Sequence, residues 1–239
     1  MTKRIAALAT TAWMILACAI DPAEATSNYA YKKNEYRVIA GGSAPNRLLS
    51  VASHGGGELG NDNFHLYLMA EPAHKIIVKL DAIGPDDVLD TAPDAFHAEW
   101  SADSRHVAVL FRSDRHVVTM RLYEIRDRLP HVLAGPDLLG TVIRNAGISL
   151  EDYDLRSSVT KLSWLSSTRF ALEERDLLAS DSPDLGRRVG KFGRPEPSTP
   201  AADSPAGPYF VDLSAKAVGE LGPGDRYRIL DVKPGRFDK

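Results

Sequence analysis

Apolar residues in this chain recur in short runs, most of them alternating with polar ones and bounded by turn-forming residues. That pattern predicts strands. The most informative stretch covers residues 96–125. It reads as a short strand ending at Trp100, a polar turn Ser101-Ala102-Asp103-Ser104, and a long hairpin with strands at 106–111 and 116–125. Val107, Ala108, Val109 and Leu110 are apolar on both faces, so the first hairpin strand is expected to be covered on both sides.

Further strands are expected at 36–40 and 48–53, at 64–69 and 75–80, at 130–134 on a sheet edge, and over 159–170 running on to 176. Two more are expected at 209–213 and 226–232. In the run 64–69, His65, Tyr67 and Met69 face one side, and Phe64, Leu66 and Leu68 the other. One segment has helical spacing. Over 136–147, Pro136 suits the first position, Asp137 the N-terminus, and Gly147 the end. Leu138, Leu139, Val142, Ile143 and Ala146 form one apolar face, which is expected to cover a sheet edge. Residues 26–35 read as a flexible lead-in. Residues 179–208, rich in Pro, Gly, Ser and Asp, read as a disordered or projecting loop within a single domain over 36–239.

The run Trp100-Ser101-Ala102-Asp103-Ser104-Arg105, followed by an apolar strand, resembles the W-S-P-D-G-[KR] repeat of TolB-like β-propellers. Ala102 stands where that family usually has Pro, and Ser104 where it usually has Gly. Trp supplies an apolar anchor at the end of one strand, and Asp-Ser reverses the chain. Trp164-Leu165-Ser166-Ser167-Thr168-Arg169 echoes the motif with one residue fewer, and Asn61-Asp62-Asn63 before Phe64 gives the same turn-then-strand grammar without the Trp. The interval from His65 to His106 is one blade length; that from His106 to Arg169 is longer by the helical insertion. The fold expected is therefore all-β: a propeller-like or partial propeller of three to four small antiparallel sheets with one inserted helix. The resemblance implies a protein-docking role in the envelope or periplasm, with Trp100, Asp103, Ser104, Arg105 and Trp164 as structural residues of the repeat.

The first 25 residues read as a targeting segment. Lys3 and Arg4 precede an uncharged apolar run over 5–20, and Ala23 and Ala25 stand where a signal peptidase reads. The expected location is the periplasm or the exterior. The alternative is a lipid anchor on Cys18, because Ile15-Leu16-Ala17-Cys18 loosely resembles a lipobox. Cys18 is the only cysteine, so a chain cut after Ala25 cannot form an internal disulfide. A formal net charge of −3 gives no footprint for nucleic acid.

Candidate chemistry is sparse. The glycine-rich stretch 54–60 lacks the Lys-Ser/Thr ending of a phosphate-binding loop. The acidic run with Asp86, Asp87, Asp90 and Asp94 lacks the spacing of a calcium loop and reads as a solvated connection. Glu173 and Glu174 point to opposite faces of a strand, which makes them a poor acid–base pair. His106 and His116 flank the central hairpin, where they are candidates to approach each other; His97 and Glu99 share a strand face; no zinc spacing is present. Arg187, Arg188, Lys191 and Arg194 form a basic cluster suited to an anionic partner. No nucleophile elbow is present, and no cofactor or metal is assigned. The reading is a non-catalytic interaction module whose partner is another envelope protein, with no transmembrane helix in the mature chain. The alternative is an enzyme, or a small-ligand or metal binder, with its site where the repeats converge.

Overall fold

Alternating strands joined by tight turns build antiparallel meanders, and the described residues make three of them in succession. The computed structural model describes residues 28–56, 62–135, 137–195, 208–222 and 226–236. The first unit comprises β1 (Arg37–Ser43), β2 (Leu49–Gly56), β3 (Asp62–Ala70) and β4 (Lys75–Lys79), each antiparallel to the next. The second comprises β5 (Phe96–Trp100), β6 (His106–Asp114), β7 (Val117–Arg126) and β8 (Leu129–Leu133). The third comprises β9 (Asp154–Trp164), β10 (Arg169–Ser180), β12 (Tyr209–Leu221) and β13 (Tyr227–Pro234); the short β11 (Gly193–Pro195) pairs the part of β12 that β13 leaves open.

Two parallel bridges link the units, each a single residue pair: Ala40 with His97 between β1 and β5, and Val117 with Ser158 between β7 and β9. Through them the ladders join the thirteen strands of the described residues into one open mixed sheet, and the protein is mostly β.

Burial follows the alternation of side chains along the strands. One core lies between the first and second units and contains Val51, Phe64, Leu66, Leu68, Phe96, Val107, Val109, Phe111 and Tyr123. A second contains Ala108, Met120 and Leu122 of the second unit with Leu162, Phe170, Leu172 and Leu213 of the third. Successive residues of β6 thus point into different cores, and Val107, Ala108 and Val109 are fully buried. Its uninterrupted apolar run is what a strand covered on both faces requires.

Helix α1 (Leu138–Asn145) closes the second core. Asp137 caps it, accepting from the Gly140 N–H, and Leu138, Leu139, Val142 and Ile143 are its buried face. At its end Gly147 takes a φ of +66°, the left-handed region where glycine carries no Cβ penalty. The helix packs against β10 and β12, which have neighbours on both sides, so it covers a sheet face and not the edge expected of it.

Three further expectations change. The segment after Ser180 holds α2 (Leu185–Arg188), a 3₁₀ turn (Gly190–Phe192) and β11; residues 196–207 lie outside the described residues. Leu185 and Val189 are buried there, and two apolar anchors suffice to seat a segment whose composition is otherwise that of a loop. The lead-in is docked as well: Tyr31 is buried, and its hydroxyl donates to the Thr91 carbonyl at 2.6 Å and lies 2.8 Å from Ser53 Oγ. Thirdly, the acidic run is not wholly solvated. Asp90 is 1 % exposed and accepts from Arg112 Nε at 2.6 Å. Among the described residues no helix is long and apolar enough to cross a membrane. Ala23, Ala25 and Cys18 lie outside the described residues.

Candidate functional site

The repeat residues lie at the turn between the first two strands of each unit. In the second unit Trp100 ends β5, Ser104 takes a φ of +61°, and its N–H donates to the Ser101 carbonyl at 2.9 Å. Asp103 Oδ1 accepts from the Ser101 hydroxyl at 2.7 Å and from the Arg105 N–H at 3.1 Å. Position 104 therefore needs the left-handed backbone that glycine adopts most easily. Arg105 lies at the rim, with Nη2 3.9 Å from Glu124 Oε1.

The first unit has the same turn one strand earlier than its sequence echo at 61–63. Arg47 takes a φ of +58° and its N–H donates to the Ala44 carbonyl at 2.9 Å, while Asn46 Oδ1 accepts from the Leu48 N–H at 2.8 Å. Pro45 and Asn46 occupy the Pro and Asp positions of the motif, but Ser43 stands where the later units have Trp. In the third unit Ser166 Oγ replaces the aspartate, accepting from the N–H groups of Thr168 and Arg169.

These turns touch one another. Trp100 Nε1 donates to the Gly42 carbonyl at 3.0 Å, and Trp164 Nε1 to the Glu99 carbonyl at 2.9 Å. Asn46 N–H donates to Ser104 Oγ at 3.0 Å. Trp100, Ser104 and Trp164 are thus joints between units.

Two surfaces offer room for a partner or ligand. Where β5 meets the third unit, an open cleft of about 670 Å³ is lined by His97, Glu99, Lys161, Glu173, Lys216 and Lys233, among others. Lys161, Glu173, Lys216 and Lys233 are cross-strand neighbours in one row over β9, β10, β12 and β13. Ion pairs occupy much of this charge: His97 Nε2 lies 2.8 Å from Glu99 Oε1, Lys233 Nζ 2.5 Å from Asp231 Oδ2, and Lys216 Nζ 4.0 Å from Glu173 Oε1.

The second surface is the outward face of the first unit, opposite Phe64, Leu66 and Leu68. Here Tyr36 lies 4.3 Å from the ring of His54 and 5.1 Å from that of Tyr67, centroid to centroid. His54 is fixed by a 2.7 Å bond between Nδ1 and the Glu35 carbonyl, which makes Nδ1 the donor. Val38 and Ile76, 39 % and 47 % exposed, share this face by cross-strand register: Val38 pairs Ala52, which pairs Tyr67, and Ile76 pairs Met69. Alternation in 64–69 foretold the face; its joining with Tyr36 and His54 depends on strand order.

Glu173 and Glu174 do point to opposite faces. Glu173 is exposed in the cleft, whereas Glu174 Oε2 accepts the Leu138 and Leu139 N–H groups, each at 3.0 Å. Burial, then the neighbouring Asp176, raise the Glu174 pKa to about 7; burial raises Asp176 to about 6.

The basic cluster is largely engaged within the chain. Arg187 pairs with Asp184 at 2.9 Å, Arg188 with Asp152 at 3.5 Å and Arg194 with Asp212 at 3.6 Å, while Lys191 lies over the Phe192 ring. His106 and His116 do not approach across the hairpin: His106 pairs with Glu124, and His116 is in the turn at the far end of β6. Burial lowers the His106 pKa, and its ring lies 5.6 Å from that of Trp164. Among the described residues no group of three or more His, Cys, Asp or Glu is placed to hold a metal ion. No protein-family model matches the chain, and comparison with curated proteins and with solved structures likewise finds no match.

Proposed function

We propose that the chain is a non-catalytic docking module of propeller-like fold, exported to the cell envelope, whose partner is another envelope protein. The observation that carries this reading is the outward face of the first unit. Tyr36, His54 and Tyr67 form a packed aromatic surface there, and Val38 and Ile76 extend it into solvent. Tyrosine-rich, pre-formed surfaces supply contact area at little entropic cost and are enriched in protein interfaces.

Three successive four-stranded units, with a tryptophan of each later unit bonded to the first strand of the one before, support the propeller-like reading. They are in keeping with the resemblance of residues 100–105 to TolB-like repeats, whose propellers commonly serve as docking platforms. Lys3, Arg4, the apolar run after them and Ala23-Glu24-Ala25 support export.

Affinity capture from the native envelope tests the docking role. The wild-type chain is expected to retain one stoichiometric partner after cross-linking, and a Tyr36→Ser, Tyr67→Ser variant to lose it. Equal capture by both would reject this face.

The cleft favours a second reading. Its volume of about 670 Å³ suits a small ligand, and Lys161, Lys216 and Glu173 offer both charges to one. A thermal-shift screen with metals and small charged ligands separates the two: a saturable shift lost in a Lys161→Ala, Lys216→Ala variant assigns the site to the cleft.

A further inference from the structure

The N-terminus of α1 stands over two carboxyls of a single strand. Glu174 and Asp176 are two residues apart in β10, so their side chains leave the same face. Glu174 Oε2 takes the first two N–H groups of the helix. Asp176 is 8 % exposed and interacts with the Ser158 hydroxyl, but its Oδ1 has no hydrogen-bond partner among the described residues.

The charged and titratable groups around the pair are few. From α1 come the N-cap Asp137 and Arg144, and Arg144 is committed to Asp137 at 2.8 Å. Tyr153 and Tyr227 add phenols, both with pKa values raised by burial. The cross-strand neighbours are uncharged: Thr160 and Ser158 in β9, Ala215 and Leu213 in β12. Asp137 adds its negative charge to the field at both carboxyls.

One negative charge is well accommodated here, because two helix N–H groups point at it and the helix dipole favours it. A second is not. It would be buried on Asp176 with one oxygen lacking a donor and another carboxylate beside it. We propose that α1 is a proton-controlled latch, seated on the third unit while the Glu174–Asp176 pair carries at most one charge and loosened when both ionise. Burial and like charge raise both carboxyls, which sets this transition near neutral pH. Loosening α1 withdraws Leu138, Leu139 and Ile143 from the second core, so the proton sets access to the apolar face of the third unit.

Hydrogen exchange on the full chain at about pH 5 and about pH 8, corrected for intrinsic rates, tests the latch. The α1 amides should lose roughly tenfold or more in protection at the higher pH, with those of β6 unchanged, and Asp176→Asn should abolish the difference. Constant α1 protection in the wild type would overturn the proposal. So would an equal loss in β6, which would mean global loosening, or full wild-type pH dependence in Asp176→Asn. Should the variant fail to fold, the comparison of α1 with β6 in the wild type decides alone.

Discussion

The indole of Trp164 donates to the backbone carbonyl of Glu99 at 2.9 Å, joining the last residue of β9 to the penultimate residue of β5. Trp100 makes the corresponding bond to Gly42, the penultimate residue of β1, at 3.0 Å. Each ring also packs with a core, Trp100 in the first and Trp164 against the second. Trp100→Phe and Trp164→Phe should each cost about 1 kcal/mol, through loss of the bond with an aromatic ring retained. Trp100→Ala should cost about 3–5 kcal/mol, because it also opens a cavity. Urea-unfolding midpoints measure both. Equal loss for Phe and Ala would show that the bond, not the ring, joins the units.

The turn at Arg47 supplies an independent check. Its φ of +58° lies where a residue with a Cβ is strained, and the side chain is exposed. Arg47→Gly should raise stability by about 0.5–1 kcal/mol, and the β-branched Arg47→Val should lower it. Ser104 is less informative, because its hydroxyl also accepts from Asn46 at 3.0 Å and Ser104→Gly would lose that bond.

The buried Asp90 pairs with the partly exposed Arg112 at 2.6 Å. Asp90→Ala deletes this charge-assisted hydrogen bond, so it should cost about 1.5–3 kcal/mol by thermal or urea unfolding. An effect below about 1 kcal/mol would place the pair in effective contact with solvent.

Two buried groups give stability opposite slopes in pH. Glu174 titrates at about 7 in the folded chain against 4.5 ordinarily, so the folded state holds its proton more tightly. Its contribution is complete below pH 4.5 and is lost as pH rises towards 7; Glu174→Gln should remove that loss. The His106 pKa is lowered from 6.5, so the folded state resists protonation and stability falls as pH drops below 6.5. His106→Phe should therefore gain on the wild type as the solution is acidified through that range. Denaturant titrations at several pH values read both differences.

How much of this the sequence disclosed depended on how local each feature is. The turn after Trp100, the doubly covered β6 and the helix with its Asp137 cap are all written in neighbouring residues, and each is found where the pattern placed it. The matching turn at 44–48 carries a weaker mark, because Ser43 replaces the tryptophan, and the echo at 61–63 lies one strand farther along. A Pro-Asn pair followed by an apolar strand was the available signal. The cleft row of Lys161, Glu173, Lys216 and Lys233 comes from four strands and exists only through their register. Asp90 sits in a run of acids that are individually unremarkable, and its burial is set by Arg112 from another strand. The raised carboxyls of Glu174 and Asp176 depend on where α1 comes to rest, which no periodicity specifies.

The outward face of the first unit is the docking surface proposed for an envelope partner. Its most direct test is site-specific photo-cross-linking in the native envelope, with the photoreactive side chain placed at Tyr67 and, as the comparison, at Ala102 in the exposed turn of the second unit. One discrete adduct is expected from position 67 and none from position 102. Adducts of equal yield from both positions, or none from position 67, would contradict it.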